Sequence, residues 1–330
     1  MSDDRAERIA EFIEPLRVEP GSTVRLERDF DPRDKAGLKK RKAAGLLRTG
    51  VDLLAEYQSR LAAQDTYGVL LCLQALDAGG KDGTIRHVMS GVNPQGVRVS
   101  SFKVPSSEEL DHDYLWRYAG RLPARGEIAI FNRSHYEEVL VVRVHTENLV
   151  RQKLPDSARG PGVWKRRYRE INDWEHYLVD NGFKVVKIFL NLSKEEQRTR
   201  FLKRIDLPDK NWKFSAADVR ERRHWADYQR AFSKMLSATS TEWAPWYVVP
   251  ADRKWFARLC TAAILAHTLM DIDPQYPQVP EEARKELLIA KWDLEREAPT
   301  GLPADPYEAE HPSEGDSRAS ERQAKKKKDS

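Results

Sequence analysis

The residues with the clearest chemical potential lie in a glycine-rich turn at residues 77–84, with the sequence DAGGKDGT. Glycine allows the backbone to curl so that successive N–H groups point at one anion. Lys81 adds a full positive charge to this turn, and the start of a helix after it would add a partial one. Because the turn follows a short apolar run, we predict the strand, turn and helix of a phosphate-binding loop.

The turn departs from the standard phosphate-loop pattern G-x-x-x-x-G-K-[ST] at two positions. Ala75 replaces the first glycine, and Asp82 stands where a serine or threonine hydroxyl normally holds magnesium. The turn also contains Asp77, a carboxylate that would repel phosphate unless a metal ion lay between them. We therefore predict that Asp77 is a magnesium ligand or a base. A turn that is rich in glycine for steric reasons alone is the alternative.

A second group of polar residues follows a predicted buried strand at Glu127–Phe131. In open parallel sheets, ligands bind at the carboxyl ends of the strands. There Arg133 could bind phosphoryl oxygens through a pair of N–H groups, and Glu137 could assist a metal ion or orient a substrate. Asn132 has no charge, so it cannot hold magnesium as the usual aspartate does. His135 is interpreted as a hydrogen-bonded structural residue.

A third group is a basic segment at residues 198–213, which Pro208 interrupts and which contains Trp212. Its basic residues are Arg198, Arg200, Lys203, Arg204, Lys210 and Lys213. A segment of this kind fits a mobile lid that brings positive charge over bound phosphates. The alternative is the solvent-exposed face of a basic helix.

Buried strands alternate with helices along the middle of the chain, beginning with Val69–Leu73. The other predicted strands are Val97–Phe102, Glu127–Phe131, Val185–Leu192 and Trp246–Val249. The predicted helices include 34–64 as one helix or two, a helix from Thr84, Ser106–Tyr118, Val163–Asn181, Ser193–Ile205, Ser215–Leu236 and Trp255–Met270. This alternation predicts an α/β fold with a parallel sheet covered on both faces. We predict an N-terminal extension at 1–64, a core at 65–272, and a C-terminal extension at 273–330 that is disordered from about residue 298.

The composition fits a folded cytoplasmic protein. Hydrophobic residues make up 40% of the 330 residues, and a formal charge of +4 is too small to require a nucleic-acid partner. Cys72 and Cys260 each lie in an apolar run and are predicted to be reduced core thiols. The first residues, MSDDRAERIAEF, lack the apolar stretch of a signal peptide, and no run of about 18 apolar residues predicts a membrane span.

Several long strings of this sequence resemble the polyphosphate kinase 2 family. They are QALDAGGKDGT at 74–84, GVNPQGVRVSSFKVPSSEELDHDYLWR at 91–117, IFNRSHYEEVLVVRVH at 130–145, KNWKF at 210–214, YQRAF at 228–232 and STEWAPWYVVPA at 240–251. The resemblance covers roughly residues 20–278.

The resemblance implies a thymidylate kinase-like fold, a P-loop NTPase-like three-layer α/β/α sandwich with a parallel sheet and a helical lid at about residues 198–225. It also implies reversible phosphoryl transfer between inorganic polyphosphate and a nucleotide, with Mg²⁺ as cofactor. The implied catalytic residues are Asp77, Lys81, Arg133 and Glu137, and Asp77 is the implied metal ligand. The implied phosphate-binding and polyphosphate-binding residues are Ala78, Gly79, Gly80, Asp82, Gly83, Thr84, Lys103, Arg198, Arg204, Lys210 and Lys213. The implied nucleotide-binding residues are Asn132, Arg133 and Asp206.

The family contains members that phosphorylate ADP, members that phosphorylate AMP, and a third class that accepts both. The string FNRSHYE, with Asn132, resembles the third class. An asparagine in place of aspartate removes a negative charge from the nucleotide phosphate site, which would ease binding of more than one phosphorylation state. The alternatives are an ADP-only enzyme, an ATP-dependent nucleoside or nucleoside-monophosphate kinase of the same fold, and a polyphosphate- or nucleic-acid-binding protein without catalysis.

The expected partners are inorganic polyphosphate, adenine and guanine nucleotides, and further copies of the chain in a homodimer or homotetramer. No nucleic-acid or membrane partner is expected.

Overall fold

The computed structural model describes residues 2–297, which belong to two compact units at residues 1–277 and 278–330. The disorder predicted from about residue 298 falls outside the described residues. In the second unit, the helix Glu281–Glu297 has no buried side chain. The sheet and all the predicted site residues lie in the first unit.

The first unit is built on a single five-stranded sheet. Its strands are β1 Gly68–Gln74, β2 Val97–Ser101, β3 Ile128–Asn132, β4 Phe183–Asn191 and β5 Trp246–Pro250. Every neighbouring pair is parallel, and the strand order is β2-β3-β1-β4-β5. The predicted parallel α/β fold is confirmed. With β1 in the centre, the carboxyl ends of β1 and β3 are brought side by side.

Helices and 3₁₀ turns are the other regular elements of the described chain. The α-helices are α1 Ser2–Ile13, α2 Leu26–Asp29, α3 Lys40–Gln64, α4 Lys81–Val88, α5 Ser107–Asp111, α6 Trp116–Ala119, α7 Val141–Val144, α8 Glu147–Val150, α9 Asp156–Arg159, α10 Val163–Asp180, α11 Lys194–Asp206, α12 Ala216–Glu221, α13 Trp225–Thr239, α14 Lys254–Ile272 and α15 Glu281–Glu297. The 3₁₀ turns are Glu14–Leu16, Pro94–Gly96, His135–Val139, Pro208–Lys213 and Arg222–His224.

Both faces of the central strand are buried, which explains why β1 reads as a continuous apolar run. Val69, Leu71 and Leu73 pack in one core with α1, α3 and α14. Leu70 and Cys72 face the opposite core, to which α10 contributes. Helices therefore cover the sheet on both sides, as a three-layer α/β/α sandwich requires.

Several helices differ from their predicted bounds, including the following three. The helix predicted from Thr84 begins at Lys81, so the lysine lies in its first turn. The helix predicted at Ser106–Tyr118 splits into α5 and α6, because Asp113 accepts the backbone N–H of Leu115 and closes a local turn instead. The helix predicted at 215–236 is interrupted by the 3₁₀ turn between α12 and α13.

Both cysteines are buried and unpaired, in agreement with the prediction of core thiols. Burial raises the pKa of both thiols well above the ordinary value, so neither is reactive at neutral pH. Among residues 2–297, no helix combines the length and the apolar character that a membrane span needs.

Candidate active site

The backbone between β1 and α4, residues 75–80, forms a tight turn that we call the glycine loop. Ala78 and Gly80 lie in the left-handed region, with φ of +62° and +102°. A Cβ atom at Gly79 would lie 2.5 Å from the Cβ of Ala75 and 2.8 Å from the carbonyl oxygen of Leu76, so only glycine fits there. The loop thus requires the small residues that the sequence places in it.

Arg133 joins the glycine loop to the end of the neighbouring strand. It follows β3 with a left-handed φ of +65°. Its Nη2 donates to Asp77 Oδ1 at 2.8 Å, and its Nη1 donates to Glu137 Oε2 at 3.3 Å. The negative charge of Glu137, and after it that of Asp77, raises the pKa of Arg133 above its ordinary value. These charges outweigh the opposing effect of partial burial. Three of the four predicted catalytic side chains therefore lie in one hydrogen-bonded group.

Lys81, the fourth predicted catalytic residue, lies in the first turn of α4. Its Nζ donates to the backbone oxygen of Ala75 at 2.9 Å, which turns the ammonium group back over the glycine loop. Burial lowers the pKa of Lys81 to about 8, and the neighbouring Arg133 guanidinium adds to this effect. Lys81 therefore carries its charge at neutral pH and loses it in mild alkali.

Asp82 and Asn132 face each other across the same edge of the sheet. Asn132 Nδ2 donates to Asp82 Oδ1 at 2.8 Å. The aspartate that stands in place of the usual loop hydroxyl is thus hydrogen-bonded to the asparagine that stands in place of the usual strand-end aspartate. Gly83 and Thr84 continue α4, where the Thr84 side chain is buried.

Two cavities meet at Arg133 and Glu137, which line both of them. The smaller cavity, of about 40 Å³, is lined by Asp77, Asp218 and Tyr228 among other residues. The larger, about 390 Å³, has aromatic walls and one predicted lysine. The residues that supply those walls and that lysine are Phe102, Tyr114, Tyr118 and Lys103.

Only part of the basic segment lies near the candidate active site, where a lid over bound phosphates was predicted. Arg198 is exposed and pairs with Glu195 on the outer face of α11. Asp206 is exposed at the end of α11, and Lys210 lies 4.0 Å from Asp209. The structure does not bring these three predicted residues to the glycine loop, because they lie on the solvent side of α11 or in the turn after it.

Arg204 lies closer to the site, with Nη1 3.7 Å from Asp218, a residue of the smaller cavity. Lys213 ends the 3₁₀ turn at Pro208–Lys213, and its side chain is outside the described part of the structure.

Two residues of α11 contact the glycine loop: Gln197, which was not among the predicted site residues, and Arg200, which was named only as a member of the basic segment. Gln197 Nε2 donates to the backbone oxygen of Asp77 at 2.9 Å, and Arg200 Nη1 donates to that of Ala78 at 2.9 Å. Both side chains are buried, as is Phe201. The available signal was spacing: a glutamine and an arginine three residues apart share the helix face that Phe201 buries.

A buried polar network lies beneath the residues that follow β3. His135 Nε2 is 3.0 Å from Glu175 Oε1, and Lys187 Nζ donates to Glu175 Oε2 at 2.6 Å. The Tyr136 hydroxyl donates to Glu175 and accepts from Lys187. The interpretation of His135 as a structural, hydrogen-bonded histidine is confirmed. Because His135 and Tyr136 lie between Arg133 and Glu137 in the chain, this network fixes the backbone that carries both.

The carboxylates of the site fit a magnesium ion that arrives with phosphate. Among the described residues, no group of three or more His, Cys, Asp or Glu side chains is arranged to hold a metal ion. Mg²⁺, however, is commonly bound through one or two carboxylates, with substrate phosphates and water completing the shell. Asp77, partly exposed at the mouth of the glycine loop, has the chemistry for such a ligand.

Comparison with known proteins agrees with this architecture. The family Polyphosphate kinase 2 (PPK2) matches residues 38–277. An ADP-polyphosphate phosphotransferase of Rhodopseudomonas palustris is 54% identical over 250 residues, which cover 76% of this chain and 86% of that protein. An AMP/ADP-polyphosphate phosphotransferase of Meiothermus ruber is 47% identical over 279 residues, which cover 84% of this chain and 100% of that protein.

A solved structure gives the same result for the fold. The crystal structure of polyphosphate kinase 2 from Arthrobacter aurescens TC1 superimposes with a TM-score of 0.75 at 38% sequence identity, covering 84% of this chain and 96% of that one. The family match spans the sheet, the glycine loop, the strand end with Arg133 and the basic segment. This chain belongs to the polyphosphate kinase 2 family.

Proposed function

We propose that this protein is a nucleotide kinase that uses polyphosphate. It transfers a phosphoryl group reversibly between inorganic polyphosphate and nucleoside mono- and diphosphates, converting AMP to ADP and ADP to ATP. The observation that carries the proposal is the position of Arg133 and Glu137, which line both cavities beside the glycine loop. Two relatives named as polyphosphate phosphotransferases, one for ADP and one for AMP and ADP, support it.

Each part of the site has a role in such a transfer. The glycine loop, Lys81 and the start of α4 bind the polyphosphate end whose phosphoryl group moves. The larger cavity takes the nucleotide, with its aromatic walls available to stack on the base. Arg133, at the boundary, neutralises charge on the phosphoryl group in transit. Transfer of this kind needs positioning and charge neutralisation and little covalent chemistry from the protein.

Asp77 would hold Mg²⁺ at this boundary. The bound ion supplies neutralisation of phosphate charge, which complements that from Arg133 and Lys81. The 2.8 Å contact with Arg133 fixes the Asp77 carboxylate in place, and the backbone oxygen of Asp77 is held by Gln197. We infer that Asp77, and not a residue at position 82 or 132, organises the metal, because Asp82 and Asn132 are bonded to each other.

The use of both AMP and ADP rests on Asn132. The Asn132 amide at the end of β3 donates to Asp82, so the Asp82 carboxylate has an uncharged hydrogen-bond donor as its neighbour. An aspartate at position 132 would set two negative charges side by side, directly before Arg133 at the boundary of the two cavities. A neutral residue tolerates nucleotides that differ by one phosphate.

End-point nucleotide analysis tests the proposal. The purified protein is incubated with Mg²⁺, polyphosphate and one of AMP, ADP, GMP or GDP, and the products are separated by chromatography. We expect ADP and ATP from AMP, and ATP from ADP. Conversion of ADP without conversion of AMP would show an ADP-only enzyme. Phosphorylation of a nucleoside by ATP in the absence of polyphosphate would indicate an ATP-dependent kinase of the same fold.

A further inference from the structure

One face of α11 binds three consecutive carbonyl groups of the glycine loop. Gln197 Nε2 donates to the oxygen of Asp77 at 2.9 Å. Arg200 Nη1 donates to the oxygen of Ala78 at 2.9 Å and to that of Gly79 at 3.1 Å. The loop therefore directs these three carbonyl groups at a single helix.

Arg200 also binds the segment that follows β5. Its Nη2 donates to the backbone oxygens of Ala251 and, at 3.2 Å, Asp252, and its Nε donates to Glu196 Oε1 at 2.8 Å. The side chain is only 7% exposed. One guanidinium thus joins the chain ends after β1 and β5 through its two Nη atoms, while its Nε binds Glu196 of its own helix.

The direction of these carbonyl groups sets the direction of the loop N–H groups. The described chain has no cis peptide bond, and in a trans peptide the C=O and N–H point in opposite directions. The N–H of Gly79 is used within the loop, where it donates to the oxygen of Leu76. Those of Ala78 and Gly80 share peptide units with the carbonyls of Asp77 and Gly79, so they point away from α11. This is the arrangement that an anion requires.

We propose that Arg200 is a positioning residue for phosphoryl transfer. It holds the carbonyl oxygens of the glycine loop against α11 and thereby presents the Ala78 and Gly80 N–H groups to the phosphoryl group. The proposal rests on the proposed function, since it assigns the loop to the polyphosphate. Without the guanidinium, four backbone oxygens would converge on one buried space with no cation between them, and the loop would turn to separate them.

Gln197 connects the same loop to the chain that follows the basic segment. Its Oε1 accepts from Arg222 Nη1 at 2.8 Å, and that nitrogen also donates to the backbone oxygen of Lys194 at 2.9 Å. Arg222 lies where α12 gives way to α13. The helix that positions the loop is therefore itself fixed by the chain that returns from the basic segment.

Replacement of Arg200 by lysine tests the proposal, because it keeps the charge and removes the planar fork. One ammonium group cannot reach carbonyls on two sides of the side chain. For the Arg200→Lys variant we expect kcat with polyphosphate to fall on the order of 100-fold, as for a small displacement of a reacting group. The KM for ADP should change by less than about twofold, because Arg200 does not line the larger cavity.

Arg169→Lys is the matched control. The Arg169 side chain is 69% exposed on α10, lies 3.9 Å from its partner Asp173 and lines neither cavity. The kcat of the Arg169→Lys variant should equal that of the wild type. Binding of tripolyphosphate, measured by calorimetry, should weaken for Arg200→Lys and not for Arg169→Lys, and thermal unfolding should show both variants folded.

A folded Arg200→Lys protein with wild-type kcat and wild-type tripolyphosphate affinity would overturn the proposal. If that variant does not fold, Gln197→Glu decides, because it removes the donor to Asp77 and keeps the acceptor for Arg222; unchanged kcat in Gln197→Glu would likewise overturn it. If the wild type shows no activity with polyphosphate, the proposed function is wrong. The loss of tripolyphosphate affinity in Arg200→Lys then still supports the role of Arg200, and unchanged affinity still contradicts it.

Discussion

At the scale of single residues, two strained backbone positions lie among the charged side chains of the candidate active site. Ala78 and Arg133 both adopt left-handed conformations that side chains disfavour. Each is held by contacts: the Ala78 carbonyl by Arg200, and the Arg133 side chain by Asp77 and Glu137. The strained residues thus lie on the two strand ends that meet at the candidate active site.

Lys81 sets an alkaline limit on activity. Its pKa of about 8 in the folded protein means that the ammonium group is charged below pH 8 and neutral above it. We expect kcat/KM for polyphosphate, which reports the free enzyme, to fall above pH 8 by up to about tenfold per pH unit. A pH profile of initial rates measures this.

The Lys81→Arg variant is the control for this prediction. Its guanidinium stays charged throughout the same range, so the decline above pH 8 should disappear, whatever the variant's rate at neutral pH. An identical alkaline decline in wild type and Lys81→Arg would show that another group causes it.

At the scale of elements, a buried ion pair between α10 and β4 supports the residues after β3. Glu175 and Lys187 are both fully buried and bonded to each other, and Glu175 also binds His135 and Tyr136. Burial alone would raise the pKa of Glu175, but Lys187 and His135 outweigh it and hold the pKa below its usual range. The carboxylate therefore stays charged as an anchor.

His135 makes the stability of this region sensitive to mild acid. Burial lowers its pKa below the ordinary value of 6.5, although Glu175 opposes the shift. Below pH 6.5 the unfolded chain binds a proton that the folded protein does not. The free energy of unfolding should therefore fall as pH drops from 6.5 through the lowered pKa, by up to about 1.4 kcal/mol per pH unit from this residue.

Denaturant unfolding between pH 7.5 and 5 checks this expectation. In His135→Gln an amide donor replaces the ring nitrogen near Glu175 and does not titrate. That variant should lose stability less steeply with falling pH than the wild type. Equal slopes would mean that His135 is not the titrating group.

The elements themselves could largely be predicted from the sequence, and their faces could not. The strand β1 follows from an apolar run, and the helix after Lys81 follows from its glycine-rich start. In α11, however, Arg198 and Arg200 are equally basic in sequence. Two residues turn a helix by about 200°, so one arginine reaches solvent and the other the glycine loop. Only the packing of Phe201 determines which of the two arginines faces the glycine loop.

At the scale of the whole molecule, the site is confined to the first compact unit. The family match ends at residue 277, which is also the last residue of the first compact unit. No predicted or observed site residue lies beyond it. The sequence could show this division only as a change in composition, since a row of prolines precedes the last helix.

A chain that ends at Pro277 should therefore remain an active enzyme. We expect its kcat and its KM for polyphosphate to stay within about twofold of those of the full chain. Initial rates at equal protein concentration measure this. A marked rise in the KM for polyphosphate that disappears at high salt would instead assign a binding role to the lysines at 325–328.

The most direct test of the central claim is the Asp77→Asn substitution, assayed by the initial rate of ATP formation from ADP, polyphosphate and Mg²⁺. The change keeps the shape of the side chain and removes its charge. Because the Asp77–Arg133 pair is partly exposed, the free energy of unfolding should change by no more than about 1 kcal/mol. Asp173→Asn, which alters an exposed carboxylate on α10, is the control.

We expect Asp77→Asn to remain folded and to lose ATP formation by at least about 100-fold, while Asp173→Asn keeps the wild-type rate. That result would place the essential carboxylate inside the glycine loop. A folded Asp77→Asn protein that forms ATP from polyphosphate at the wild-type rate would contradict this account of the site.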